Sequence, residues 1–284
     1  MPGTLFVVST PIGNLGDLTH RAVEVLRAVD VVACEDTRTT RVLLDHYDVR
    51  TRTVALHAHS SEAELEGLVE RLDAGADVAL VSDAGTPLLS DPGGTLVAAA
   101  IARGHTVVPV PGASALLAAL VGCGVDVTRF TFLGFLPRSE AQQLELLAPL
   151  RTFAGAVAVY ESPRRVGETL ALLARALGAG RGAVVARELT KRFESFERGT
   201  LAALAARDWA ETRGEIVIVV APPSADDLAA TAASTVDIAA EIQRLRAEGL
   251  GAAEISRILA AAHGRTRREV YREVLEVLKG SDGD

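Results

Sequence analysis

Cysteine is scarce, with Cys34 and Cys123 the two examples in 284 residues. Two thiols so far apart in the chain make no disulfide framework, and they read as small buried hydrophobes. Aromatic residues make up 4% of the chain, so Ala, Val and Leu must fill its core. No stretch reaches the ~18 uncharged apolar residues of a membrane-spanning helix. The opening "MPGTLFVVSTPIG" has neither the basic start nor the long apolar run of a signal peptide. No membrane association is expected, and the expected location is the cytoplasm. Positive charge is in deficit, at 29 Lys and Arg against 37 Asp and Glu, for a net charge of -8. That balance argues against general coating of nucleic acid but leaves room for a local basic patch. The standard phosphate-cradling motifs are also missing. No Walker A loop occurs, and "TPIGNLGD" (10–17) after the first expected strand is not G-x-G-x-x-G. The glycine-rich turn of the commonest methyltransferase fold is absent there too.

What is present is 49% hydrophobic and 23% charged, the balance of a soluble protein with a real core. The length suits one large or two medium domains. Short apolar runs at 4–9, 31–34, 52–56, 77–82 and 105–110 read as strands, and the segments between them read as helices. Thr19 to Val29 puts Ala22, Val25, Leu26 and Val29 on one helical face. Ser61 and Glu64 form a capping box, and Asp91-Pro92 has the pattern of N-cap plus first helical residue. This βαβα alternation implies a parallel sheet covered by helices over 1–122, ending in a helix from Ser114. A second α/β unit with a mixed sheet is expected over 123–222. Its strands are read at 130–136, 155–162, 182–188 and 214–220, with Ser162-Pro163 capping a helix to Leu177. The segment 223–235 reads as a linker, and 236–284 reads as a helix-turn-helix-like helical module.

The oddest stretch is "LVSDAGTPLLSDPGG" (80–94), which leaves an apolar run and turns through Gly, Pro and Asp. Together with 10–17 and 111–115 it supplies three loops at the carboxyl ends of successive strands. Open α/β sheets bind ligands there, and each loop sets Pro or Gly beside a small residue, so a ligand can approach the backbone. The alternative is that these are tight turns and nothing more.

The motifs "STPIGNLGD" (9–17), "CEDTR" (34–38), "LHAHS" (56–60), "SDAGTPLLSDPG" (82–93), "VPGASA" (110–115), "YESPRR" (160–165) and "ARELTK" (186–191) occur in this order. Together they resemble the tetrapyrrole methylase superfamily and, within it, the ribosomal RNA small-subunit methyltransferase I family. The resemblance spans about 4–220. It implies two α/β domains of the tetrapyrrole methylase type with the donor site in the cleft between them, plus a small C-terminal helical module. It implies S-adenosylmethionine as cofactor, and methylation of the 2′-hydroxyl of a cytidine in the decoding region of 16S rRNA. Gly85, Thr86 and Pro87 match the donor loop, Ser114 and Ala115 the loop before the helix, and Pro11 the proline after the first strand. Tyr160 lies where the second domain usually contacts the donor in that family, so the resemblance implies the same role for it. Ala113 and Ser60 depart from the family's usual Pro and Asn. Homodimers are common in the superfamily.

Several residues are candidates for chemistry. Asp36 is either a proton acceptor facing the cleft or one half of a structural pair with Arg38. Asp83 either caps its turn or accepts a hydrogen bond from donor or substrate. Glu188 and Lys191 form a second acid–base candidate, since a lysine in a cleft can lose basicity. His57 and His59 share one strand face but have no further ligands nearby in sequence, so no metal is expected. Arg38, His57, Arg164, Arg165, Arg192, Arg267 and Arg268 are candidate RNA contacts, and Tyr271 can stack on a base. The acidic chain suits one folded ribosomal site, so the expected substrate is rRNA in an assembled or nearly assembled 30S subunit. The rival readings are a methylase of corrin or porphyrin precursors and a non-catalytic ribosome-binding factor with a vestigial donor pocket.

Overall fold

The structure is a computed structural model. It describes residues 2–57, 60–91, 93–263 and 265–281, without the side chains of 230–237, 261–263, 280 and 281. His59 and Pro92 lie outside the described residues. The chain forms two compact units: Met1–Ala118 with Glu188–Glu194, and Ala119–Arg187 with Ser195–Asp284.

The first unit is built on strands β1 (Thr4–Val8), β2 (Val31–Cys34), β3 (Arg52–Ala55), β4 (Val78–Val81) and β5 (Thr106–Val110). They form one sheet in the order β3-β2-β4-β1-β5, and every pairing is parallel. Side chains alternate between its faces. Val8, Val32, Cys34, Ala79, Val81 and Val110 pack against Ala22 and Leu26 on one side. Leu5, Val31, Ala33, Val78 and Leu80 pack against Leu68, Leu72, Leu96 and Ala100 on the other. Burial on both faces explains why β2 and β4 are unbroken apolar runs. Each fully buried leucine contributes about 1.5–3 kcal/mol by leaving water. Register then decides where the loops go. Val8 pairs with both Val81 and Val110, so β1, β4 and β5 end level and their following loops leave the same edge.

The covering helices are α1 (His20–Ala28), α2 (Thr37–His46), α3 (Glu62–Asp73), α4 (Gly94–Ala102) and α5 (Ala115–Cys123). Helix α3 carries the expected Ser61–Glu64 capping box. The start of α4 is a correction. Its N-cap is Gly93 rather than Asp91, at φ 116°. A Cβ on Gly93 would sit 2.8 Å from Leu80 Cδ2, so packing against the β4 side chain demands glycine there.

The second unit contains β6 (Phe130–Phe135), β7 (Ala156–Glu161), β8 (Gly182–Arg187), β9 (Ser195–Thr200) and β10 (Ile216–Val220), ordered β6-β7-β10-β8-β9. Only β6 and β7 are parallel; the other pairings are antiparallel. Strand β9 and the short helix α8 (Leu201–Ala205) were not expected, because an edge strand reading "SFERGT" carries no run of apolar residues. Helix α6 (Glu140–Leu147) follows β6, and α7 (Val166–Leu177) follows β7. Ser162-Pro163 does not cap α7, whose N-cap is Arg165. The Ser162 carbonyl instead accepts the Arg165 N–H at 3.1 Å within a preceding turn. Arg181 is wholly buried, and its guanidinium donates to the carbonyls of Ala221 at 2.6 Å, Leu150 at 3.1 Å and Gly155 at 3.3 Å.

The stretch 223–235 read as a linker is largely helix, another correction. Helix α9 (Ala225–Ala247) begins on a Ser224–Asp227 capping box, which holds an Ala-rich segment helical. It packs with α10 (Ala252–His263) and α11 (Arg267–Ser281) around Ile238, Ile242, Ile255, Leu259, Val270 and Val274. Among the described residues no helix is long and apolar enough to cross a membrane.

Candidate active site

The three loops singled out in the sequence meet in the first unit. Thr10 and Gly85 exchange backbone hydrogen bonds, at 2.8 Å from Thr10 N–H and 3.1 Å from Gly85 N–H. Thr10 Oγ1 donates to the Ser82 carbonyl at 3.1 Å, and Ser82 Oγ to the Gly85 carbonyl at 3.2 Å. Thr86 Oγ1 donates to the Ala113 carbonyl at 3.1 Å and receives Ser9 Oγ at 3.3 Å. The loops after β1, β4 and β5 are therefore one hydrogen-bonded assembly. Gly85 sits at φ 79°, and a Cβ there would press on Ile12 Cγ2 at 3.0 Å. A Cβ on Gly112 would lie 2.9 Å from Ser9 Cβ. Leu88 and Ser90 hold φ of 74° and 73° in the same loop, an uncommon conformation for side-chain-bearing residues that clusters at functional sites. Pro11 and Pro87 are buried, whereas Asp83, Pro111 and Gly112 are exposed at the rim. Ser114 is buried and its Oγ accepts the Leu117 N–H at 3.4 Å, so Ser114 and Ala115 open α5 directly from this assembly.

The carboxylates around it differ in availability. Asp36 is the N-cap of α2: its Oδ1 accepts the Arg38 N–H at 2.8 Å, and the Arg38 guanidinium grips both oxygens at 3.2 and 2.8 Å. Those bonds from Arg38 hold its carboxyl down to about 2. Asp83 Oδ1 accepts the Asp36 N–H at 3.1 Å, which links the loops after β2 and β4. Asp91, which does not cap α4, is a half-buried carboxyl beside Ser82. Burial first, and then the negative charges of Glu35 and Asp83, push it up to about 6. A carboxyl titrating near neutrality is suited to general acid–base work. The sequence hid it because Asp-Pro before a helix reads as a cap.

Glu188–Glu194 joins the first unit although the strands on either side belong to the second. Lys191 Nζ lies 3.0 Å from Glu188 Oε1, so the expected pair forms. The lysine stem crosses Gly13, where a Cβ would be 2.4 Å from Lys191 Cε and 2.6 Å from its Cγ. The pair is thereby set against the loop after β1. Glu188 and Thr190 again have positive φ, at 52° and 68°.

Other expected residues are not part of this assembly. His57 is exposed and its backbone N–H donates to Ser60 Oγ at 3.0 Å. In the second unit, Tyr160 packs edge-on to Phe132 with centroids 4.7 Å apart. Arg165 stands 3.7 Å from the buried Glu161, whose Oε2 accepts Thr169 Oγ1 at 2.6 Å. Arg164 and Arg192 are exposed. In the tail Arg268 pairs with Glu145 of α6 at 3.0 Å, Arg267 reaches the Ala253 carbonyl at 3.4 Å, and Tyr271 is exposed. Among the described residues no group of three His, Cys, Asp or Glu is placed to hold a metal ion.

Comparison with known proteins fits this geometry. The family profile of Tetrapyrrole (Corrin/Porphyrin) Methylases matches residues 4–205. The chain is 45% identical to the ribosomal RNA small subunit methyltransferase I of Mesorhizobium japonicum, covering 99% of this chain and 94% of that one. The protein of the same name from Synechocystis is 42% identical, with coverages of 97% and 98%. Among solved structures, diphthine synthase superposes with a TM-score of 0.61 at 18% identity over 77% of this chain and 90% of that one. Cobalt precorrin-4 methyltransferase gives 0.59 at 17% identity, with coverages of 77% and 94%. These two establish the fold alone. The chain belongs to the tetrapyrrole methylases, which use S-adenosylmethionine as methyl donor, and within them to the ribosomal RNA small subunit methyltransferase I family.

Proposed function

We propose that this protein methylates the 2′-hydroxyl of a cytidine in the decoding region of 16S rRNA, acting on an assembled or nearly assembled 30S subunit in the cytoplasm. The observation that carries the reading is the junction of the loops after β1, β4 and β5 through Thr10, Gly85, Thr86 and Ala113. The identity to methyltransferases named for small-subunit rRNA supplies the substrate class.

The junction suits the donor. Its rim is backbone and small side chains, which let a ligand come close, and the nearby carboxylates Asp83, Glu35 and Asp91 complement a cationic molecule. Pro11, Asp83, Gly85, Thr86, Pro87, Ser114 and Ala115 would hold it, and Tyr160 is proposed as a further donor contact. When bound, S-adenosylmethionine supplies an electrophilic methyl group on a sulfonium.

The chain's own task is to hold the ribose oxygen in line with that methyl, since positioning alone lowers such a barrier by several kcal/mol. The ribose oxygen must also lose its proton. Asp36, held near 2 by Arg38, is a weak base. Other acceptors in the first unit include Asp91 and the Glu188–Lys191 pair. Arg38, His57, Arg164, Arg165, Arg192, Arg267, Arg268 and Tyr271 are proposed as RNA contacts, and a homodimer as the assembly.

The test is mass mapping of ribose methylation in 16S rRNA from cells lacking the protein, followed by methylation of their 30S subunits in vitro. One cytidine ribose that is unmodified in those cells and is methylated on adding protein and donor is the expected result. Incorporation at a base atom, or into a corrin precursor but not rRNA, would overturn it. Absence of donor binding by calorimetry would favour a non-catalytic factor.

A further inference from the structure

Phe193 is exposed where most phenylalanines are not, at 66% of its surface. Its backbone is held firmly. Lys191 N–H donates to the Glu188 carbonyl at 3.0 Å, Glu194 N–H to the Lys191 carbonyl at 3.1 Å, and Thr190 N–H to Glu194 Oε2 at 2.7 Å. Leu189 anchors the segment in the core at 6% exposure. The Lys191 stem fastens it over Gly13, in the loop after β1.

On this fixed loop the Arg192 guanidinium lies over the Phe193 ring, 5.5 Å from its centroid. Phe196, three residues on, makes the contrast. It also carries an arginine, Arg198, at 5.2 Å, but its ring packs where a Cβ on Gly122 would fall, 2.4 Å from Cζ. Phe196 is used for packing. Phe193, at 66% exposure, leaves most of its ring in water on the segment that the Lys191 stem fastens to the loop after β1.

We propose that Phe193, with Arg192, is a stacking platform for an unpaired nucleobase of the rRNA substrate, next to the nucleotide being methylated. The proposal rests on the rRNA reading above. Unpaired bases of folded RNA are bound by stacking on aromatic rings and guanidinium planes. The arginine adds a charge for the adjoining phosphate without requiring a basic protein. The place is right as well. Lys191, two residues before Phe193, is seated on the same β1 loop that pairs with the donor loop through Thr10 and Gly85.

The experiment compares wild type, F193A and F193Y on unmethylated 30S subunits. It measures 30S binding by filter retention, methyl transfer as kcat and KM, donor affinity by calorimetry and oligomeric state by sedimentation. The expected result for F193A is roughly tenfold weaker 30S binding and a KM raised to match, the scale of one lost base–aromatic stack. Donor affinity and oligomeric state stay unchanged, and F193Y restores binding. F193A binding 30S subunits like wild type would overturn the platform. So would a loss traced to a change in oligomeric state, which would make Phe193 a subunit contact. Failure of the functional reading shows in a different arm. Wild type that binds 30S subunits but leaves the ribose unmodified sinks that reading, while the F193A binding ratio still decides the platform. Wild type that does not bind 30S subunits removes both.

Discussion

In the first unit all five strands run the same way; in the second, β10 runs against both of its neighbours. A parallel sheet delivers every strand's carboxyl end to one edge, so five loops can be brought together with no further device. A mixed sheet divides its loops between two edges. The polar residues of the two units follow this difference. In the first, Thr10, Ser82, Gly85 and Thr86 tie loop to loop and leave backbone at a rim. In the second, buried polar groups such as Arg181 and Glu161 are consumed within the unit, by carbonyls and by Thr169. One sheet ties its loops into a single junction, and the other spends its polar groups on holding itself together.

The largest effect that would break this contrast is expected at Arg181. R181A leaves the carbonyls of Ala221, Leu150 and Gly155 buried without their donor. It should cost about 3 kcal/mol of stability in chemical denaturation, with donor affinity at low temperature unchanged within error. Lost donor affinity in a folded R181A protein would show that the second unit does more than support itself. The next effect is at the loop junction. A side chain on Gly112 meets Ser9 Cβ at 2.9 Å, so G112V should cost about 1–2 kcal/mol by overpacking. It should also weaken S-adenosylmethionine binding by more than tenfold in calorimetry. Near-normal binding would move the donor site away from this junction.

The smallest effect is electrostatic and belongs to Asp91. Its folded value of about 6 lies above the ordinary 3.8, so it binds its proton more tightly when folded. Its contribution to stability is full below the unfolded value and is lost as pH rises through about 6. D91N removes that slope. Melting temperatures of the two proteins should therefore differ least in acid and most at neutral pH, with wild type losing ground to D91N as pH rises from 3.8 through about 6. A difference that does not change with pH would mean that Asp91 is not held protonated by its surroundings.

Much of this was legible along the chain. Strand β2 and the Ser61–Glu64 box stand where periodicity and capping rules put them, because both signals are local. The errors have physical causes. Asp91-Pro92 imitates a helix start, but the chain needs one further turn through Gly93 to clear Leu80. The segment at 223–235 has a linker's composition, yet Ser224 and Asp227 already spelled a capping box that its alanines continue. Strand β9 lies at a sheet edge, where half-exposed polar residues erase the alternation that marks a strand. At the site, Gly85 and Thr86 were visible as turn chemistry, whereas nothing in "ARELTKRFE" shows that Lys191 crosses Gly13 or that Phe193 stays open.

Sequence alone determined what depends on neighbours in the chain: the βα alternation, most helix caps, the glycine-rich loops and the motif order that carries the family resemblance. Tertiary structure decided what depends on distant partners. Register between β1, β4 and β5 made three turns into one assembly. Burial beside Glu35 and Asp83 raised Asp91 toward neutrality. A carboxylate's chemistry is set by the charges and the solvent around it, and those arrive only when the chain has folded.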